Sequence, residues 1–164
     1  MPFYEVTHVC PLLSDQQQQL ASAITRIHTT RFVTPSIFVN VVFKDASRVI
    51  SYIGGKKRAV NRITATVRSE GRSRESFTEL TYELNSAWNN IVNDGKPGKG
   101  ETELRVVAVF SGIAAALEAG FPVPKAGEDM EWMKANKAEF EKRAKEGDEE
   151  FGDLLEEMKI KHHL

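Results

Sequence analysis

The sequence predicts an α/β protein of two layers (an α+β arrangement). Tandem βαβ units form a four-stranded, mainly parallel sheet with two helices on one face, and a helical extension follows. Three observations lead there. An extended run, an amphipathic stretch and an apolar run occur in that order twice, with a period of about 60 residues; parallel pairing through a helical crossover is the default for such units. Glycine and proline separate the pieces. Beyond the turn at residues 120–124 the chain becomes dense in Glu and Lys, a composition suited to solvated helices. The expected organisation is a double βαβ domain over residues 1–128 and a charged helical extension over 129–164.

Residues 3–9, rich in β-branched and aromatic side chains, read as the first strand. Ser14 and Gln17 have capping-box spacing and open a helix that runs to about Thr30. Leu20, Ile24, Ile27 and the stem of Arg31 form its apolar stripe, and Pro35 stops it. Residues 37–43 are almost continuously apolar, as in a buried strand. Residues 49–53, before Gly54-Gly55, suit a short hairpin arm. The second unit begins with a strand at 62–68. Ser73 caps the next helix, whose stripe is Phe77, Leu80, Leu84, Trp88 and Ile91. A glycine- and lysine-rich loop at 93–100 precedes a strand at 104–110. With both helices on one face, the other face is left bare, which implies a partner subunit. Residues 129–161 suit one or two surface helices broken near Gly147, with Glu139–Arg143 and Glu141–Lys145 at i,i+4 spacing.

Bulk properties exclude several classes. The formal net charge of -1 gives no basic field for nucleic acid; Lys56-Lys57-Arg58 with Arg62 is the one local exception. No apolar run reaches the length of a membrane span. Cys10 stands alone, so no internal disulfide forms. With no signal-like leader, a cytoplasmic location is expected. No cysteine pair or HExxH helix indicates zinc, so no metal is expected; His162-His163 is an adventitious metal contact or, more readily, a frayed tail.

Candidate chemistry sits at five positions. Pro2 becomes a terminal secondary amine if Met1 is trimmed, and an α-amino group titrates at roughly 7.7–8.0, close enough to neutrality for acid–base work. His28 lies at the edge of the first helix's apolar stripe, as an anion donor or as a structural histidine. Arg68 and Arg72 bracket Ser-Glu-Gly just before a helix N-terminus, where free N–H groups and a guanidinium suit a carboxylate. They are otherwise solvated arginines, and Arg74 could replace either. Glu118, among apolar neighbours, is a general base toward water or an ordinary surface glutamate.

Pro2, Ala-Ile-Thr-Arg-Ile-His28, Tyr-Ile-Gly-Gly55, Ser-Glu-Gly-Arg-Ser73, Leu-Glu118-Ala-Gly and Glu131-Trp132, in that order, resemble the tautomerase superfamily, and within it the cis-3-chloroacrylic acid dehalogenase group. The resemblance runs from Pro2 to about Trp132. It implies a homotrimer acting on small carboxylates without a cofactor. Pro2 would be acid or base, His28 and Arg72 would hold the carboxylate beside a second arginine, and Glu118 would activate water in hydrating members. Two departures redirect the expectation. The group's two arginines are spaced one residue closer than Arg68 and Arg72, which puts Ser69 opposite the first of them and leaves Arg68 or Arg74 as the second cation. The group also carries a tyrosine on the last strand, where this chain has Val-Val-Ala-Val-Phe110. Loss of that phenol weakens water addition and favours tautomerisation over the hydratase or dehalogenase alternatives; decarboxylation of a 3-oxo acid is a further possibility the resemblance implies. A trimeric binding protein that has lost its chemistry is the reading from another class.

Overall fold

The structure, a computed structural model, describes residues 1–162; His163 and Leu164, with the tail expectation attached to them, lie outside it. Strand β1 (Phe3–His8) leads to helix α1 (Ser14–Phe32) and strand β2 (Asn40–Asp45). A small hairpin, β3 (Tyr52–Ile53) and β4 (Lys56–Lys57), separates this unit from the next: β5 (Asn61–Val67), α2 (Arg74–Val92) and β6 (Leu104–Ser111). A second hairpin, β7 (Leu117–Glu118) and β8 (Phe121–Pro122), then precedes α3 (Asp129–Lys145) and α4 (Glu149–His162).

The main sheet has the order β2-β1-β5-β6. Each βαβ unit pairs its own strands in parallel, and the two units meet antiparallel across β1 and β5. Strict alternation along β1 and β5 decides the layering. Tyr4, Val6, Ile63, Ala65 and Val67 point to the covered face, where they meet Leu20 and Ile24 of α1 and Leu80, Leu84 and Trp88 of α2. Each buried Val, Leu or Ile side chain among them contributes about 1.5–3 kcal/mol by leaving water. The opposite residues, Glu5, Thr7, Arg62 and Thr64, share the open face. That face is therefore polar at its centre and apolar only toward its edge strands, where Val42, Val106 and Phe110 are exposed.

Several boundaries differ from the sequence reading, each for a local reason. The N-cap of α1 is Leu13, not Ser14; Gln16 Oε1 accepts from the Leu13 N–H at 3.0 Å and does the reciprocal half of the expected box. The helix runs on to Phe32 and ends on Val33 in the left-handed region (φ 52°), before Pro35 can act. Residues after Pro35 wind into a 3-10 turn, Ser36–Phe38, so β2 starts at Asn40. Arg31 lies against α2, paired with Glu79 (2.7 Å) and Glu83 (2.8 Å). Gly54 and Gly55 both take positive φ and let the β3–β4 turn close in two residues. Ser73 does cap α2, its hydroxyl accepting from the Ser76 N–H at 3.2 Å. Buried Asn61 is a polar joint the sequence hid: its Oδ1 accepts from Val9 N–H (2.8 Å), and its Nδ2 donates to the Glu101 and Glu103 carbonyls (2.7 and 2.9 Å).

Helices α3 and α4 break at Gly147 and close round a second core of Met133, Phe140, Phe151, Leu154 and Met158. Phe121 and Trp132 pack on it, so the β7–β8 hairpin is held by the extension. Arg143 pairs with Asp148 (3.0 Å) instead of the expected Glu139, and it donates to the Ala119 carbonyl in the hairpin turn. Glu157 of α4 accepts from the Ser36 N–H at 3.0 Å and fixes the helix pair to the turn before β2.

Candidate functional site

Pro2 is buried at the head of β1, with its carbonyl accepting from the Asn40 N–H at 3.0 Å. The amino group of Met1, one residue outward, is the titrating terminus of the full chain. Its pKa falls from 8.0 to about 6, first through burial and then through the positive charge of Arg68; Glu118 and Asp129 oppose that shift, and Arg72 adds to it. Groups from β7, α3 and the turn after β5 thus converge on the terminus of β1.

His28, in the last quarter of α1, faces the sheet because it follows Leu20 and Ile24 on the buried stripe. It is fully buried. Its Nδ1 lies 2.7 Å from the Tyr4 hydroxyl, its ring stacks at a tilt on Phe32 (4.8 Å between centroids), and its Nε2 has no partner. Burial, then Arg72 and Arg68, lower its pKa to about 3, so the ring is neutral at physiological pH. Burial likewise raises the Tyr4 phenol above its ordinary range. The pair is a neutral hydrogen-bonding unit.

The turn after β5 places the two arginines differently. Gly71, at φ 67°, adopts the left-handed backbone that turns Arg72 back toward α1. The Arg72 guanidinium lies over the Phe32 ring at 3.9 Å, its Nη1 donates to the Arg68 carbonyl (3.1 Å), and its Nη2 is buried without a partner. Burial, then Arg68, bring its pKa down to about 10, still cationic at neutral pH. Arg68 points the other way. It donates to Asp129, Thr34 and the carbonyls of Pro124 and Lys125. Arg74 is exposed in the first turn of α2.

Glu118 sits on β7, not on the short helix considered from sequence. Asn40 Nδ2 donates to its Oε1 at 3.1 Å, while Oε2 is buried and unpartnered. Burial raises its pKa, and the Asn40 bond partly offsets that. His28 Nε2, Arg72 Nη2 and Glu118 Oε2 are buried polar atoms without a protein partner; among the described residues Arg62 Nε, on the open sheet face, is another. A cleft of about 490 Å³ is lined by Phe32, Val33, Arg72 and Ser73; Pro2 and Glu118 do not form its walls.

Sequence reasoning missed Tyr4, Asn40, Thr34 and Asp129. Tyr4 was read only as a strand former, and Asn40 is the one amide in an otherwise apolar run. Asp129 was only the first residue of the charged extension, and nothing local in sequence ties it to Arg68. Among the described residues no group of three metal-ligating side chains occurs, and no helix is long and apolar enough to cross a membrane.

Residues 1–137 match the Tautomerase_3 family, whose description reads "Putative oxalocrotonate tautomerase enzyme". No curated protein matches the sequence. Among solved structures, the chain is similar to N1, a member of the cis-3-chloroacrylic acid dehalogenase family, with 20% identity, TM-score 0.64, 80% of this chain and 90% of that one. It is also similar to native RhCC from Rhodococcus jostii RHA1, with 20% identity, TM-score 0.59, 82% of this chain and 96% of that one. A fused 4-OT, F6, solved as an asymmetric trimer, matches with 14% identity and TM-score 0.57 over 73% of this chain and 94% of that one. At these identities the likeness is one of fold.

Proposed function

From the premise that this chain belongs to the Tautomerase_3 family of the tautomerase superfamily, we propose that it is a cofactor-independent tautomerase. Its acid–base group is Pro2, freed by removal of Met1, and it acts on small 2-oxo or unsaturated carboxylic acids. The observation that carries this reading is the convergence of burial, Arg68 and Arg72 on the terminal amine, which lowers its pKa. Pro2 lies one residue inward, and once Met1 is removed its amine is predicted to shift in the same direction under the same burial and guanidinium charges. A neutral secondary amine takes a proton from the carbon beside the 2-oxo group, or from an enol oxygen. The freed electron pair moves into the enol system, and the resulting prolinium returns the proton at the other end. This is a 1,3- or 1,5-keto–enol shift in which only a proton moves.

Arg72 Nη2 is an open donor that supports carboxylate binding, and His28 Nε2 joins it in the tautomer in which the Tyr4 hydroxyl donates to Nδ1. Arg68, whose Nη1 and Nη2 donors are engaged, adds a positive field that Asp129 offsets in part. In a hydratase or dehalogenase variant, prolinium protonates the alkene carbon while Glu118 directs water. The unpartnered Oε2 of Glu118 favours that second reading; the absence of a phenol on β6 favours the first. The homotrimer belongs to the same proposal, supported by the open sheet face and by the trimeric F6 structure.

Intact mass before and after incubation with a 3-halopropiolate tests the reading. A chain lacking methionine that gains a single adduct on Pro2 is the expected result. Retained Met1, or no adduct on a free proline, sinks it and favours a binding protein without chemistry.

A further inference from the structure

Arg68 and Arg72 leave the same turn, yet their donors meet different fates. Arg68 Nη2 donates to Asp129 Oδ1 (2.8 Å) and Oδ2 (3.1 Å) and to Thr34 Oγ1 (3.1 Å); Nη1 donates to the carbonyls of Pro124 (2.7 Å) and Lys125 (3.1 Å). The side chains of this ion pair are 4% and 2% exposed. Opening it would strand two buried charges. Arg72 makes one bond, to the Arg68 carbonyl, and keeps a buried Nη2 with no partner close to His28, whose own Nε2 is open. The neighbouring cations do not alter this balance: Arg31 is held by Glu79 and Glu83, and Arg74 is exposed.

We propose that Asp129 is a specificity-determining residue: by occupying the outer guanidinium edge of Arg68 it leaves Arg72 as the arginine of the pair with a free terminal nitrogen, and so selects acids carrying one carboxylate over those carrying two. A second carboxylate would lose its water without meeting an uncompensated cation. The inference rests on the proposed carboxylate site and adds the count of charges that site accepts.

The probes are 2-oxopentanoate and 2-oxopentanedioate, which share a carbon skeleton and differ by one carboxylate. Binding is measured by calorimetry and proton–deuterium exchange at C3 by NMR, on the full chain and on Asp129→Asn. Expected is a preference of about tenfold or more for the monocarboxylate. The preference shrinks several-fold in Asp129→Asn, because the amide oxygen still accepts from Arg68 but no longer cancels its charge. Equal or tighter binding of the dicarboxylate by the unmodified chain overturns the proposal, as does an unchanged ratio in a folded Asp129→Asn. If that variant does not fold, the ratio on the unmodified chain decides. Selective binding without exchange leaves the specificity assignment standing and removes the tautomerase reading. Exchange with no selectivity does the reverse, and binding of neither acid removes both.

Discussion

The sheet layer and the C-terminal helix pair each enclose an apolar core, but they contribute opposite things to the site. The sheet layer supplies position. Alternation along β1 buries Tyr4, helical spacing along α1 buries His28, and the two meet as a neutral pair at 2.7 Å. The helix pair, remote in sequence, supplies charge and restraint. Asp129 engages Arg68 and offsets part of its charge, Arg143 holds the turn beside Glu118, and Phe121 anchors that hairpin in the second core. A scaffold can thus fix where groups stand while an appended segment decides which of them remain available.

The largest test of this division is Pro2→Ala. If the chemistry resides at the head of β1, exchange falls by about 10²–10⁴, the usual contribution of a general acid–base group, with the urea midpoint unmoved. Unchanged turnover would take the chemistry out of the sheet layer. Asp129→Ala comes next. Removing one partner of a buried ion pair costs about 3–5 kcal/mol, read by urea denaturation. A loss no larger than that of an ordinary surface change, about 0.5 kcal/mol, would detach the extension from the site.

The pH profile sharpens the comparison further. The base form of the amine is the neutral one, so the rate rises with pH through an acid limb lowered below the ordinary α-amino range. Arg72→Gln removes a cation that lowers this pKa and moves the limb up. Asp129→Asn removes an anion that raises it and moves the limb down. Shifts of the same sign would refute the opposed roles of the two regions. The smallest effect is expected at Arg31, which joins α1 to α2 at the wall of the cleft with its guanidinium held by Glu79 and Glu83. Arg31→Ala should cost about 0.2–1 kcal/mol for each exposed pair and leave exchange unchanged.

The fold was legible where a period recurs. The stripe Leu80, Leu84 and Trp88 and the alternation of β5 each repeat one burial rule over several turns or pleats, so isolated exceptions do not obscure it. Ser73 was legible because a cap acts within four residues. The Leu13 cap and the 3-10 turn after Pro35 were not, since backbone choices at element ends differ by little energy and neighbours settle them. At the candidate site, Pro2, His28, Arg72 and Glu118 could be named as residue types in suggestive places. Their partners Tyr4, Asn40 and Asp129 carried no local signal.

The sequence by itself determined the doubled βαβ order, the covered face, the break at Gly147 and the inventory of ionisable groups, because periodicity and turn chemistry act over short stretches. Only the tertiary structure decided which arginine is free. Arg68 and Asp129 lie 61 positions apart, and two residues whose spacing follows no period reveal an ion pair only when packing has brought them together and excluded water.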